Sequence, residues 1–335
     1  MNPSVGVMSP PDTAIQVTLH GLAVRITCAN PGIAATLAAR FSSFTLDARP
    51  EADITVACKL DVTPHDVPTD GRVVYESPYA TAVYSPDEDA LYAFHADGAT
   101  MRADPAARHA EITASASGES TDWVVTRPLL TLALMELVRR RGLFPLHAAC
   151  LAREGVGVLV CGPSGSGKST LTVALLEAGL DFLGDDLVFL RPSSDAVRAL
   201  GFPDELGISA DAAQSLPRLP AQVDTSPPPG WPKARADIQV VAPAAHVADS
   251  CDPRVLLLLS ERVEPGVIEK VSTDDALLEL LPSILLTEAA TCAAHLQSLA
   301  TLTKSATLFR TAPRPDLAAV SELVVDTLGQ GVTRT

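Results

Sequence analysis

Val158-Leu-Val-Cys-Gly-Pro-Ser-Gly-Ser-Gly-Lys-Ser-Thr170 contains three kinds of local text in succession. Val158–Cys161 is apolar throughout, as expected of a strand buried on both faces. Gly162-Pro-Ser-Gly-Ser-Gly-Lys-Ser169 matches GxxxxGK[ST] without deviation. Ser169-Thr-Leu-Thr-Val-Ala-Leu-Leu-Glu-Ala-Gly179 then reads as a capped helix closed by glycine. Strand, glycine loop and helix in that order form the context that gives the motif its meaning as a phosphate-binding loop. Glycines let successive N–H groups turn inward toward phosphate oxygens, and the helix N-terminus adds a favourable dipole. A lysine in this place reaches the β- and γ-phosphates, and the following hydroxyl ligates Mg²⁺. Gly162, Pro163, Ser164, Gly165, Ser166, Gly167, Lys168, Ser169 and Thr170 are therefore the candidate nucleotide-binding residues, with ATP and Mg²⁺ as the expected cofactors.

After the helix comes Leu180-Asp-Phe-Leu-Gly-Asp-Asp-Leu-Val-Phe-Leu190, where a common ATPase would give a longer apolar strand ending in one carboxylate. Asp185 and Asp186 follow Lys168 by 17 and 18 residues. Adjacent residues of a sheet segment point to opposite faces, so the two carboxylates are expected to do different work. One can hold Mg²⁺; the other can accept the proton of an attacking hydroxyl. His147, 21 residues before Lys168, lies on an apolar strand-like run. Alone, such a histidine reads as a core residue.

The combination of Leu146-His-Ala-Ala149, the glycine loop and Gly184-Asp-Asp-Leu-Val188 resembles the HPr kinase/phosphorylase family and its relatives. The likeness covers about 45 residues near the middle of the chain. It implies an α/β fold with a P-loop kinase core of the phosphoenolpyruvate carboxykinase/HPr kinase type. It also implies catalytic roles for Asp186 as proton acceptor toward a serine hydroxyl, for His147 beside the transferred phosphate and for Lys168 on phosphate. Ser169 and Asp185 are then the metal ligands, with a further family carboxylate downstream. Glu205, in Phe202-Pro-Asp-Glu-Leu-Gly-Ile208, is the candidate for that place and Asp204 stands next to it, although this stretch departs from the family signature. The text before the core is more like that of the HPr-kinase-like proteins of bacterial peptide-maturation clusters, lasso-peptide kinases among them. The resemblance is compatible with a homo-oligomer.

Residues 1–12 read as a loose N-terminus, 13–118 as a smaller β-rich α+β domain and 119–335 as the kinase domain. Between Ile15 and Thr113 seven short alternating runs begin at Ile15, Leu22, Ile54, Val73, Thr81, Ala90 and Ala110. Pro31–Phe41 interrupts them with a helical face of Ile33, Leu37 and Phe41. A helix is expected from Thr121, stopped by Arg139-Arg-Arg-Gly142. Val255–Leu259 reads as a buried strand, and Asp274–Leu281, Leu285–Thr303 and Asp316–Leu328 carry helical periodicity. The proline-rich loop 216–233 cannot be helix or central strand, and reads as either a plain connection or a substrate clamp. Lys233 and Arg235 beyond it can contact phosphate or serve as solvated surface charges.

Composition bounds the partners. With 40 acidic against 25 basic residues the net charge is −15, which disfavours nonspecific binding to nucleic acid or anionic membrane. No apolar run approaches the roughly 20 residues of a membrane span, and the N-terminus lacks the features of a secretory signal. The six cysteines have no CxxC spacing and read as free thiols, pointing to the cytoplasm. Three functions remain: a kinase for a serine of a peptide or protein acceptor, a small-metabolite kinase, or a nucleotide-dependent switch or assembly NTPase. A switch has no use for a base aimed at an alcohol, which places the peptide or protein kinase first.

Overall fold

The structure is a computed structural model and describes residues 13–60, 63–115, 121–209, 213, 223, 225–227 and 231–332. The N-terminal segment 1–12 and most of the proline-rich stretch 216–233 lie outside the described residues. The chain is mixed α/β and divides into two compact units, Met1–Leu137 and Val138–Thr335. The division falls inside a helix, so residues 121–137 group with the first unit, whereas the reading from sequence began the second at 119. No described helix is long and apolar enough to cross a membrane.

Among the described residues the first unit forms an eight-stranded sheet of order β1-β2-β3-β8-β7-β6-β5-β4. β1 (Thr13–Leu19) and β2 (Leu22–Cys28) are joined at His20 and Gly21, with φ of 50° and 94°, the paired left-handed geometry that suits a two-residue hairpin. Asn30 caps α1 (Pro31–Arg40) by accepting from the Ile33 N–H, and the helix buries Ile33, Ala34 and Leu37. β3 (Ile54–Leu60) lies parallel to both β2 and β8 (His109–Ala114). β7 (Thr100–Asp104), β6 (Ala90–Phe94), β5 (Thr81–Ser85) and β4 (Arg72–Glu76) continue as an antiparallel meander. β7, Thr-Met-Arg-Ala-Asp, was not foreseen: it lacks the β-branched and aromatic enrichment that marks its neighbours.

The following helix comprises α2 (Thr121–Val124), a π-turn (Val125–Leu129) and α3 (Leu130–Arg139). The widened turn holds Pro128, whose missing N–H and bulky ring do not fit an ordinary α-helical interior. Gly142 stops the helix as expected. At φ 78° it lets the Leu143 N–H bond Val138 O at 3.2 Å, while its own N–H bonds Arg139 O at 3.1 Å.

The second unit's main sheet has nine described strands, in the order β12-β10-β11-β17-β14-β13-β9 with β18 and β19 branching from β17. β11 (Val156–Cys161) is flanked by β10 (Ala149–Arg153) and by the central strand β17 (Ser250–Leu259), which runs parallel to it. β17 is longer than the expected strand and has two further partners besides β11. Ser250 and Cys251 pair with β14 (Val197–Gly201), whereas Val255–Leu259 pair in parallel with β19 (Thr307–Thr311). β19 pairs in turn with β18 (Ile268–Lys270). β12 (Asp181–Gly184) lines β10, and β13 (Val188–Pro192) sits between β14 and β9 (Phe144–Leu146). A separate pair joins β15 (Leu206–Ile208) to β16 (Ala234–Ala236).

Alternate residues of β11 enter different cores, which explains its unbroken apolar text. Val158 and Val160 pack with Leu171 and Leu175 of α4 (Lys168–Glu177) and with Val320 and Val324 of the last helix. Leu159 and Cys161 pack with Leu299 and Leu302 of the helix Ala289–Ser305. Gly157 has a packing reason to be glycine. A Cβ there would lie 2.4 Å from Cys251 Sγ and 2.8 Å from the Leu151 carbonyl oxygen, and the space it leaves lets Cys150 and Cys251 bring their thiols to 3.6 Å. Gly157→Ala must move backbone as well as side chain. It is expected to destabilise the protein by about 1–3 kcal/mol in urea denaturation, the usual cost of overpacking.

Candidate active site

The loops after β11, β17 and β19 emerge from the carboxyl ends of parallel strands, where ligands of open α/β sheets bind. The glycine-rich loop is the first of them. Gly165 and Gly167 take φ of 80° and 100°, and Gly167 leads directly into α4. This left-handed backbone is the one glycine adopts without steric cost. Pro163, Ser164 and Gly165 are exposed, while Ser166 and Lys168 are buried. The Lys168 ammonium donates to Gly162 O at 2.7 Å and to Pro163 O at 3.1 Å, folding over its own loop. Burial lowers its pKa, against the raising influence of Asp186 and Asp185.

The two aspartates lie in a bend just after β12 rather than within a sheet segment. Their environments nevertheless differ sharply. Asp185 is 2% exposed. Its carboxylate accepts from Ser169 Oγ at 2.7 Å and from Thr172 Oγ1 at 3.0 Å, both on α4. Burial, and then the charge of Asp186, push this carboxyl up to about 6 against those hydrogen bonds. The Asp186 side chain is 44% exposed. His147 Nε2 approaches one of its oxygens at 3.9 Å, and a guanidinium nitrogen of Arg235 approaches the other at 3.6 Å. Desolvation acts to raise Asp186, but His147, Arg235 and Lys233 prevail and hold it well below the usual carboxylate range.

His147 sits in the break between β9 and β10 and not on a strand; its backbone N–H donates to Ser283 O at 2.8 Å. Arg235 is on β16 and also donates to Glu205 O at 3.2 Å. Gly207 on the partner strand makes room for both basic side chains: a Cβ there would lie 3.2 Å from Arg235 and 3.5 Å from Lys233. Glu205 therefore borders the site through its carbonyl oxygen. No group of three or more His, Cys, Asp or Glu with metal-holding geometry occurs among the described residues, so Asp185, Asp186 and Glu205 do not form a carboxylate cluster. What the structure does bring together is Ser169 with Asp185, and Asp186 with His147, Arg235 and Lys233. The basic pair's approach to Asp186 was not legible from sequence, because it depends on the pairing of β15 with β16.

The donor set suits Mg²⁺. The ion prefers hard oxygens, keeps several waters and needs only one or two protein ligands, which a serine hydroxyl and a neighbouring carboxylate can provide. Two buried polar atoms, Ser166 Oγ on the loop and Arg235 Nε on the side chain that reaches Asp186, have no hydrogen-bond partner among the described residues, as expected where a polar ligand completes the site.

The Asp185 environment has a stability consequence. A carboxyl whose folded pKa is raised from roughly 3.9 favours folding while protonated, and that contribution is lost as pH rises through about 6. Asp185→Asn stays neutral throughout. In metal-free buffer at pH 8 it is expected to exceed the wild type in stability by about 1–3 kcal/mol, with the gap closing toward pH 4–5. Urea denaturation at both pH values tests this; an equal gap at both would show that Asp185 titrates normally.

No family model matches the chain, and no curated protein matches it. Among solved structures the chain is similar to one described as the Hpr(Ser) kinase/phosphatase from Coxiella burnetii, at 15% identity over 56% of this chain and 92% of that one, with a TM-score of 0.32.

Proposed function

We propose that the protein is an ATP- and Mg²⁺-dependent kinase that transfers a phosphoryl group to a serine hydroxyl of a peptide or protein. The observation that carries the reading is the division of labour between adjacent aspartates next to a complete phosphate-loop motif. Asp185 is buried against Ser169, and Asp186 is half exposed beside three basic side chains.

In this reading the loop amides and Lys168 bind the nucleotide phosphates. Ser169 and Asp185 hold Mg²⁺, which would neutralise charge on the phosphates when bound. Asp186 is ionised at neutral pH and accepts the proton of the acceptor hydroxyl as that oxygen attacks. His147 and Arg235 orient the Asp186 carboxylate, and Arg235 with Lys233 offers positive charge to the transferring group. The exposure of Asp186 supports an acceptor that approaches from solvent, as a chain segment does. The −15 net charge supports a neutral or basic polypeptide over a free anionic metabolite.

The test is incubation with MgATP and a panel of serine-containing peptides, their Ser→Ala variants and free serine, read by mass spectrometry. One added phosphate on a peptide and none on its variant is the expected outcome. Phosphorylation of a metabolite with every peptide untouched would favour a small-molecule kinase, and hydrolysis without any phosphorylated acceptor would favour a switch. Lys168→Ala is expected to abolish most MgATP affinity by calorimetry while the protein remains folded. Asp186→Asn is expected to lower transfer by about 10²–10⁴-fold with little change in nucleotide affinity, the signature of a lost base.

A further inference from the structure

Ala312-Pro-Arg-Pro-Asp316, the connection between β19 and the helix Leu317–Val332, turns back onto the glycine-rich loop. The Arg314 N–H donates to Ser166 O at 2.8 Å. A Cβ on Gly167 would lie 3.4 Å from both Arg314 Cα and Arg314 N, and 3.8 Å from Arg314 Cγ. The arginine backbone thus rests on the residue that precedes Lys168, and the start of its side chain leaves from that point.

Arg314 reaches this position in a costly conformation. Its φ of 54° is left-handed, which a residue with a Cβ adopts only against steric resistance. It also precedes Pro315, and a following proline favours extended backbone. Glycine would make the same turn without strain. The turn and its hydrogen bond to Ser166 are made by backbone atoms, and the side chain starts beside the loop. A strained residue at a ligand site points to a function of its side chain. That side chain is an exposed cation beside a loop whose amides and helix dipole already favour an anion.

We infer that Arg314 is a second cationic contact for the phosphates of the bound nucleotide, delivered from the carboxyl end of β19 and fixed to the loop by its own backbone. The inference rests on the nucleotide-binding reading above. A guanidinium suits the task because its planar fork can make two hydrogen bonds to phosphate oxygens.

Calorimetry with MgATP and MgADP on the wild type, Lys168→Ala, Arg314→Ala, Arg314→Lys and Arg314→Gly tests it. Arg314→Ala and Arg314→Gly are expected to weaken MgATP binding about tenfold, the scale of one charge-assisted contact. Arg314→Lys should recover part of the loss. The glycine variant separates structure from binding: its melting temperature should equal or exceed that of the wild type, because glycine accepts the left-handed turn, while its affinity falls. Unchanged MgATP affinity in folded Arg314→Gly, with Lys168→Ala unable to bind, would overturn the role of Arg314 and leave the nucleotide reading intact. A wild type that binds neither nucleotide would overturn both.

Discussion

The hydrogen bonds from Ser169 and Thr172 to Asp185 hold the site together. They tie the bend after β12 to the first turn of α4. Without them the loop's hydroxyl and the aspartate pair would belong to independent elements. The cost of that tie is a buried carboxylate, which the protein meets with two hydroxyl donors and a raised pKa. Asp186, one residue on, is released to solvent and to the basic side chains. Two identical side chains thus acquire opposite electrostatic characters from a single peptide bond's change of direction.

Packing around the loop follows from the same economy of space. Gly157 admits the Cys150–Cys251 contact behind the strand, Gly167 admits the Arg314 backbone above the loop, and Gly207 admits Lys233 and Arg235 beside Asp186. At Gly157 a Cβ would collide with backbone and thiol, at Gly207 it would crowd the end of the Arg235 side chain, and at Gly167 the left-handed φ of 100° is what calls for glycine. Only Gly167 among them belongs to a recognisable motif.

The local parts of this architecture were legible in the sequence. The apolar run of β11, the glycine end of α4 and the Gly142 stop are decided by residues within a few positions of one another, whereas the side-chain cap expected for α4 is absent: Gly167 stands at its N-terminus. Several strands of the first unit were legible too, where alternation is written into Ile54–Leu60 and its like. What was not legible depends on distant partners. β7 is a strand because β6 and β8 hold it, not because Thr-Met-Arg-Ala-Asp prefers extension. His147 falls in a break because β9 and β10 pair with different strands, β13 on one hand and β11 and β12 on the other. The acidic pair was expected within a strand, yet β12 ends at Gly184, where a Cβ would meet Leu187 O at 2.7 Å and Phe202 O at 3.0 Å. The candidate site was therefore readable as a set of residue types, while Arg314 gave no signal beyond its two flanking prolines.

The pairing of β17 with both β11 and β19 bears on how the site comes into being during synthesis. Val158 of β11 pairs with Val255, and Leu256 pairs with Leu308, so the strand carrying the glycine loop is secured by chain made much later. Long-range parallel pairing of this kind is slow to nucleate, because loop closure must precede any return in contacts. A nascent chain that has already exposed the whole of Gly162–Ser169 has β10 on one side of β11 but still lacks the parallel strand on the other, the strand beyond that, and the arginine resting on the loop. On the proposed reading, nucleotide would then act on the last stages of folding, binding the completed sheet and drawing the equilibrium toward it by mass action.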